Sequence, residues 1–391
     1  MNEQTAGQTA QAARQAAETE RAAPAAAPEC AAGQVKGASA AGCAAGAGPA
    51  ARAAQAGAVD MVATARAVQQ EADGWGGPGL LKLIAPAKVN LFLGIGPRRS
   101  DDYHEATSIL HAIALHDVLY VRRAPTPERL AGAGEAALAG PVGNVRVGIE
   151  CIAREGLEPL PVPAAENIVF RAVDALACEL GREDEGAVEI RLEKHIPYQA
   201  GLGGGSSDAA AALLGMAHLW GVAPDDPVLE RVARRLGSDV AFFLHGGCAC
   251  FGGAGERFDH ALAPMKKSLV LVKPTEGMST AAAYRSFDED PRRVDEDALA
   301  KARQAACALD VPLFNNLAPA SERLMPELED VKAWVQAQPG VEDALLCGSG
   351  STTFAVVESL NAACRLTAAA QAKGWWARST TFGSLRAALV P

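Results

Sequence analysis

The sequence predicts a two-domain protein of mixed helix and strand, α+β or α/β, on three observations. Its 391 residues exceed the length of one ordinary domain. Strand-like and helix-like stretches alternate in two blocks, one before and one after about Pro264. With 49% apolar and 21% charged residues, the chain has the composition of a globular protein with material for two cores. No repeat with a period of about 20–50 residues is visible.

The elements follow in chain order. Residues 1–79 stand apart: 29 of the first 80 residues are Ala and no aromatic precedes Trp75. Such a segment lacks the large apolar side chains that offset ordering entropy, so a disordered extension is expected, with transient helix around Gln8–Arg21 and Gln55–Gln70 and no identifiable partner. Patterned sequence begins at "LLKLIAPAKVNLFLGIG", read as two short strands, Leu80–Ala85 and Val89–Gly94, broken at Pro86. "PRRSDDYHE" has no period, and "ATSILHAIALHDVLYVRRA" resumes as strand. Residues 124–165 read as a loop around one strand, Val145–Cys151. "AENIVFRAVDALACELG" is a helix starting within Ala164–Asn167 and stopping at Gly181. "AVEIRLEKHIP" alternates strictly, as a half-buried strand does.

After a run of glycines, "SSDAAAALLGMAHLWG" is a helix with Ser206, Ser207 and Asp208 as candidate N-caps, and "PVLERVARRLG" is another. "SDVAFFLHGGCACFGGAGERF" reads as a loop, a short apolar segment and a glycine-rich hairpin. The second block holds a strand at Leu269–Lys273, helices around Ser279–Phe287 and Asp295–Leu309, and two more near Ser321–Glu329 and Glu329–Gln338. It continues with strands at Asp343–Cys347 and Thr353–Val357 flanking a Gly/Ser loop, a helix near Asn361–Lys373 and a last strand near Trp376–Thr381. The expected domains are 80–262 and 263–391.

Composition narrows the function classes. A formal net charge of -10 argues against a nucleic-acid binder, which carries a basic stripe, but permits a local basic pocket for a small anion. The nine cysteines are scattered; Cys248 and Cys250 form a lone C-x-C with no second pair at zinc-finger spacing, so buried free thiols and no metal-ligand set are expected. Outside the alanine-rich stretches no apolar run is long enough to span a membrane, and the N-terminus lacks a secretory pattern, so a cytoplasmic protein is expected.

The densest signal is "YQAGLGGGSSDAAAAL", with four glycines inside Gly201–Gly205 directly before a strong helix former. First-turn N–H groups of a helix lack intrahelical acceptors, and the macrodipole adds positive charge there. Glycines let such a backbone close on an anion, so a phosphate cradle explains the density better than a tight turn. It is not a Walker A loop, because the chain contains no Gly-Lys dipeptide, and it matches neither G-x-G-x-x-G nor G-x-S-x-G.

"IPYQAGLGGGSSDAAAAL" resembles the phosphate-binding motif of the GHMP kinase superfamily. "APAKVNLFLGI" resembles that family's N-terminal motif and "LLCGSGSTTFAV" its C-terminal glycine motif, in the same order. The resemblance runs from about Leu81 to the C-terminus. It implies the two-domain α+β GHMP kinase fold, an N-terminal domain like ribosomal protein S5 domain 2 followed by a ferredoxin-like domain, with the active site between them. "AKVNLFL" followed by "RRSDDYHE" resembles the branch acting on 4-diphosphocytidyl-2-C-methyl-D-erythritol in the non-mevalonate isoprenoid pathway. The implied reaction moves the γ-phosphoryl of ATP, accompanied by Mg²⁺, to the 2-hydroxyl of that small molecule. Two alternatives stay open, another GHMP small-molecule kinase and a non-catalytic nucleotide-binding homologue.

The resemblance implies roles residue by residue. Lys88 and Asp239 are the catalytic pair, Lys88 stabilising developing charge and Asp239 accepting the hydroxyl proton. On its own pattern Asp239 reads equally as a helix N-cap, with Ser238 as competitor. Pro197, Tyr198, Gln199, Ala200, Gly201, Leu202, Gly203, Gly204, Gly205, Ser206 and Ser207 form the ATP loop. Asn167 contacts adenine or simply starts a helix. Asn90, Tyr103 and His104 meet the cytidylyl substrate: Tyr103 offers a stacking face, and the side chain or backbone of His104 contacts the base edge. Tyr284 is a second aromatic for the base or a helix-core tyrosine, and Gly348, Ser349 and Gly350 approach the phosphates or the substrate. Asp102 stands where the family commonly has Gly.

Overall fold

A computed structural model describes residues 75–99, 103–124, 145–154, 156–163, 166–182 and 186–390. The alanine-rich extension up to Gly74, and Asp102, lie outside the described residues. The elements are β1 (Leu81–Arg98), β2 (His104–Arg123), β3 (Arg146–Ala153), α1 (Ile168–Leu180), β4 (Ala187–Lys194), α2 (Gly204–Leu219), α3 (Pro227–Leu236), α4 (Ser238–His245), β5 (Cys248–Gly252) and β6 (Arg257–Leu262). Then come β7 (Ser268–Lys273), α5 (Thr280–Glu289), α6 (Glu296–Gln304), β8 (Phe314–Asn315), α7 (Ala318–Leu324), α8 (Glu327–Gln336), β9 (Val341–Leu346), β10 (Thr353–Val357), α9 (Leu360–Ala372), β11 (Trp376–Thr381) and β12 (Ala388–Val390). None of these helices is long and apolar enough to cross a membrane.

Three expectations need correcting. The two strands flanking Pro86 are one strand, β1. Its register against β2 shifts between Pro86 and Lys88 and again between Asn90 and Phe92, so the proline falls at an irregularity of the ladder. The helix after the glycines starts at Gly204 with Gly203 at the N-cap, so Ser206, Ser207 and Asp208 lie inside α2 and cap nothing. The segment after Gly237 is not a loop. It forms α4, whose N-cap is Gly237 with no side-chain cap bond, so the capping alternative for Asp239 fails and the residue sits in the first turn. The terminal strand β12 was not anticipated; it pairs with β1 and returns the chain end to the first sheet.

The first sheet runs β12-β1-β2-β4-β3, with β5 also on β2, β6 on β5 and β8 on β1. Its β3–β4 and β1–β8 pairs are parallel and the rest antiparallel. Apolar faces of α1, α2, α3 and α4 cover it around Leu83, Leu110, Leu213 and Phe242. The second sheet, β11-β7-β10-β9, is antiparallel throughout, the strand order of a βαββαβ ferredoxin-like unit. Helices α8 and α9 pack on it through Val331, Val335, Ala363 and Leu366. Trp75, ahead of β1, is buried against Val118 and Tyr120, with the guanidinium of Arg122 4.5 Å and that of Arg191 5.0 Å from its ring centroid.

Two buried polar arrangements join these parts. Lys194, at the end of β4, pairs with Asp117 of β2 and, at 2.6 Å, with Asp208 of α2. Asp117 also accepts the main-chain N–H groups of His195 at 2.5 Å and Ile196 at 2.8 Å, which fixes the chain entering the glycine loop. Burial opposes the Lys194 charge, but Asp208 and Asp117 outweigh it and hold its pKa above the usual value. His111 of β2 is fully buried and joins the two sheets. Its Nδ1 lies 2.9 Å from the Ala112 carbonyl, Nε2 accepts the Met265 N–H at 3.0 Å, and Phe382 meets the ring at 4.7 Å.

Two outcomes follow. Lys194→Met leaves two buried carboxylates uncompensated and should cost about 3–5 kcal/mol by denaturant unfolding. Adding Asp117→Asn and Asp208→Asn should recover most of it; a single-variant loss below about 1 kcal/mol overturns this reading of the triad. Burial lowers the His111 pKa to about 4. The unfolded chain therefore binds more protons than the folded one between that value and the ordinary ~6.5. This contribution, about 3 kcal/mol, is complete above pH ~6.5 and is lost as the pH falls toward 4. His111→Gln, which keeps an acceptor for Met265, should flatten the stability slope across that window; an unchanged slope would show that other groups produce it.

Candidate active site

A cleft of about 1380 Å³ opens where β1, β2, α2, α4, α5 and the Gly348 loop converge. Seven cationic and five acidic side chains line it, so the surroundings favour an anion although the whole chain is acidic.

The glycine loop forms one wall. Gly201 and Gly203 take φ of +74° and +72°, which a side chain rarely adopts. A Cβ on Gly201 would lie 2.1 Å from the Cys347 carbonyl oxygen, and one on Gly203 would lie 2.8 Å from the Phe243 ring and 3.0 Å from Lys88 Cγ. Close approach of backbone at Gly201 and of side chains at Gly203 therefore demands glycine here before any ligand is considered. Two segments brace the loop: Thr352 N–H, beyond Gly348, donates to Ala200 O at 3.2 Å, and Met278 N–H, ahead of α5, donates to Gln199 O at 3.0 Å. Pro197, Tyr198, Gln199, Ala200, Gly201, Leu202, Gly203, Gly204, Gly205 and Ser206 all line the cleft. Ser207 does not; its side chain is buried and its N–H donates to Gly203 O.

Lys88 is only 4% exposed, yet its ammonium reaches the cleft wall. Its N–H donates to Leu202 O at 3.0 Å, tying β1 to the glycine loop. Nζ donates to Asn90 Oδ1 at 2.7 Å and lies 3.3 Å from Asp239 Oδ2. Asn90 Nδ2 in turn donates to Ser108 Oγ at 2.9 Å. Asp239, half-exposed at the start of α4, faces the cleft.

Tyr103, His104 and Tyr284 line the cleft as well. Tyr103 is 65% exposed. The His104 ring is fully engaged, Nδ1 lying 3.0 Å from Gly96 O and Nε2 2.8 Å from Asp288 Oδ1. Tyr284 is mostly buried on α5, 6.0 Å from the His104 ring; burial, then the Asp239 charge, push its hydroxyl up to about 12. Gly348 and Ser349 line the cleft, and Ser349 is held by Thr280 Oγ1 at 3.0 Å and by Ser321 Oγ, which donates to its carbonyl at 2.8 Å. Gly350 lies behind the wall, over Leu346 and Leu328. Asn167 lines the cleft but also caps α1, its Oδ1 accepting the Val169 N–H at 2.9 Å.

Sequence reasoning missed four supports of this site: Asp288, the Lys194–Asp208 pair and Asn315. Asn315 Nδ2 donates at 2.8 Å to both Leu346 O and Gly348 O, and its Oδ1 accepts the Leu317 N–H, which fixes the second glycine loop. A paired asparagine inside the apolar stretch "VPLFNNLA" was the signal available for it.

Comparison with known proteins gives the family. Residues 167–247 match the family model for the GHMP kinases N terminal domain, and residues 292–374 that for the GHMP kinases C terminal. The 4-diphosphocytidyl-2-C-methyl-D-erythritol kinase of Desulfitobacterium hafniense is 37% identical over 285 residues, covering 71% of this chain and 88% of the relative. Its counterpart from Pelotomaculum thermopropionicum is 36% identical over 288 residues, covering 73% and 91%. A crystal structure of a 4-(cytidine 5'-diphospho)-2C-methyl-D-erythritol kinase superposes with a TM-score of 0.59 at 32% identity, covering 77% of this chain and 99% of that one. Homoserine kinase from Cytophaga hutchinsonii, at 18% identity and a TM-score of 0.57, shares the fold. The chain belongs to the 4-diphosphocytidyl-2-C-methyl-D-erythritol kinase family of the GHMP kinases.

Proposed function

We propose that this protein transfers the γ-phosphoryl of ATP to the 2-hydroxyl of 4-diphosphocytidyl-2-C-methyl-D-erythritol in the cytoplasm. Residues 80–262 supply the nucleotide loop, and residues 263–391 close the substrate side. The observation that carries this reading is the placement of the Lys88 ammonium between Asn90 and Asp239, in the cleft that the glycine loop and Tyr103 also line.

The roles follow from that geometry. ATP lays its phosphates along the loop from Pro197 to Ser206, against main-chain N–H groups at the start of α2. The adenine lies toward Asn167. Asp239 orients the acceptor hydroxyl and takes its proton. An ammonium has three donors; Lys88 directs one to Asn90 and one toward Asp239, and the third serves an oxygen of the moving phosphoryl group. The cytosine stacks on Tyr103, with Tyr284 bounding the slot and the main chain of His104 at the base edge, since its ring is already engaged by Gly96 and Asp288. Gly348 and Ser349 approach the diphosphate of the substrate.

Mg²⁺ accompanies the nucleotide. The Asp239 carboxylate and Ser206 hydroxyl on the cleft wall are hard oxygen donors, the set that suits Mg²⁺ when substrate phosphates supply the other ligands. Held there, the ion would supply charge that neutralises the phosphate oxygens.

Asp239→Asn should lower kcat by about 10²–10⁴-fold, nearer the lower end for a loose transition state, in a variant that still folds but melts at a lower temperature because Lys88 loses its carboxylate partner. Normal turnover in that variant would remove Asp239 as the base. Tyr103→Ala should raise KM for the cytidylyl substrate by roughly 5- to 150-fold and leave KM for ATP unchanged, the loss of one stacked base. Equal effects on both substrates would make Tyr103 a structural residue.

A further inference from the structure

A second group of ligating side chains lies outside the cleft, on the β5–β6 hairpin. One ligand atom each from Cys250, Asp259 and His260 falls within 4.8 Å of the others. None of the three lines the cleft. Neighbours along a regular strand point to opposite faces, so Asp259 and His260 should diverge. They do not, because the ladder shifts here: Cys250 pairs with His260 and Phe251 with Phe258, which leaves Asp259 as the extra residue of a bulge. Bulges of this kind re-aim a side chain. Here the carboxylate turns to within 3.0 Å of His260 Nδ1.

The histidine ring is the informative part. Nε2 lies 3.3 Å from the Ala305 carbonyl, which can only accept a hydrogen bond. A neutral imidazole has one N–H. With that proton on Nε2, Nδ1 presents a lone pair to the Asp259 carboxylate, also an acceptor, and a cation between them resolves the conflict. A carbonyl fixing the far ring nitrogen is the usual outer-sphere partner of a metal-bound histidine. The third ligand, the Cys250 sulfur, is only 2% exposed, whereas Asp259 is exposed, so an ion can enter from solvent. Arg303, the cation beside Cys250, is turned to Thr107 Oγ1 by bonds of 3.3 and 3.0 Å.

We infer that Cys250, Asp259 and His260 form a binding site for a borderline divalent transition metal of the Zn²⁺ class, separate from the kinase centre. One sulfur, one imidazole nitrogen and one carboxylate oxygen leave the fourth tetrahedral position to water. Coordination replaces the S–H bond of Cys250 by a metal–sulfur bond and releases one proton to solvent. The ion clips the hairpin beside the segment after α6 that carries Ala305.

The test uses the full chain, stripped with a chelator and titrated with Co²⁺ as a spectroscopic probe, then with Zn²⁺ in competition. One equivalent of Co²⁺ should produce a near-ultraviolet thiolate charge-transfer band and the visible bands of a tetrahedral site, both erased by Zn²⁺. Cys250→Ser and His260→Ala should each weaken binding by roughly 100-fold or more and abolish the thermal stabilisation by Zn²⁺. Both variants should keep normal kinase turnover in the absence of added Zn²⁺, which shows that they fold. Absence of a stoichiometric cobalt signal at micromolar protein overturns the inference, leaving a proton as the occupant between His260 and Asp259. A signal that survives both substitutions also overturns it and places the metal on other thiols of the chain.

Discussion

The structure depends on how one nearly buried ammonium is accommodated. Lys88 projects from β1 into a wall that solvent barely reaches, where an unpaired charge would be prohibitively costly. Asn90 meets it from two residues along the same strand, and Asp239 from the first turn of α4. Those two partners require that β1 run unbroken past Pro86 and that α4 begin at Ser238. They also require Gly203, because its missing Cβ leaves room for the lysine stem. Strand, helix and glycine loop are thus positioned by one need, the pairing of a single cation.

The glycine loop is held from both sides by the protein's own polar contacts. From below, the Lys194 pairs anchor its entry to β2 and its exit to α2 through Asp117 and Asp208. From the second half of the chain, Thr352 and Met278 donate main-chain hydrogen bonds to Ala200 and Gln199. Asn315 in turn fixes the segment that bears Gly348. A backbone so constrained keeps its N–H groups in place without reorganising as ligand binds, the condition under which fixed dipoles are most effective.

The sequence by itself determined the larger part of this protein. Periodicity located α1 between Asn167 and Gly181, β10 and β11 to the residue, and the division into two blocks, because those signals come from the alternation of buried and exposed positions along one element. Glycine density marked the loop between β4 and α2, since only glycine tolerates both the backbone angle and the closeness of Cys347 and Phe243 at Gly201 and Gly203. The tertiary structure decided what depends on partners distant in the chain. It merged two strands at Pro86 through β2, and it made Gly203 rather than a serine the cap of α2. It brought the end of the chain back to β1, engaged the His104 ring with Asp288, and turned Asp259 toward Cys250 through a bulge. In each case the deciding neighbour lies across a sheet or in another element, and a pattern along one strand or helix carries no information about which side chain will stand opposite it.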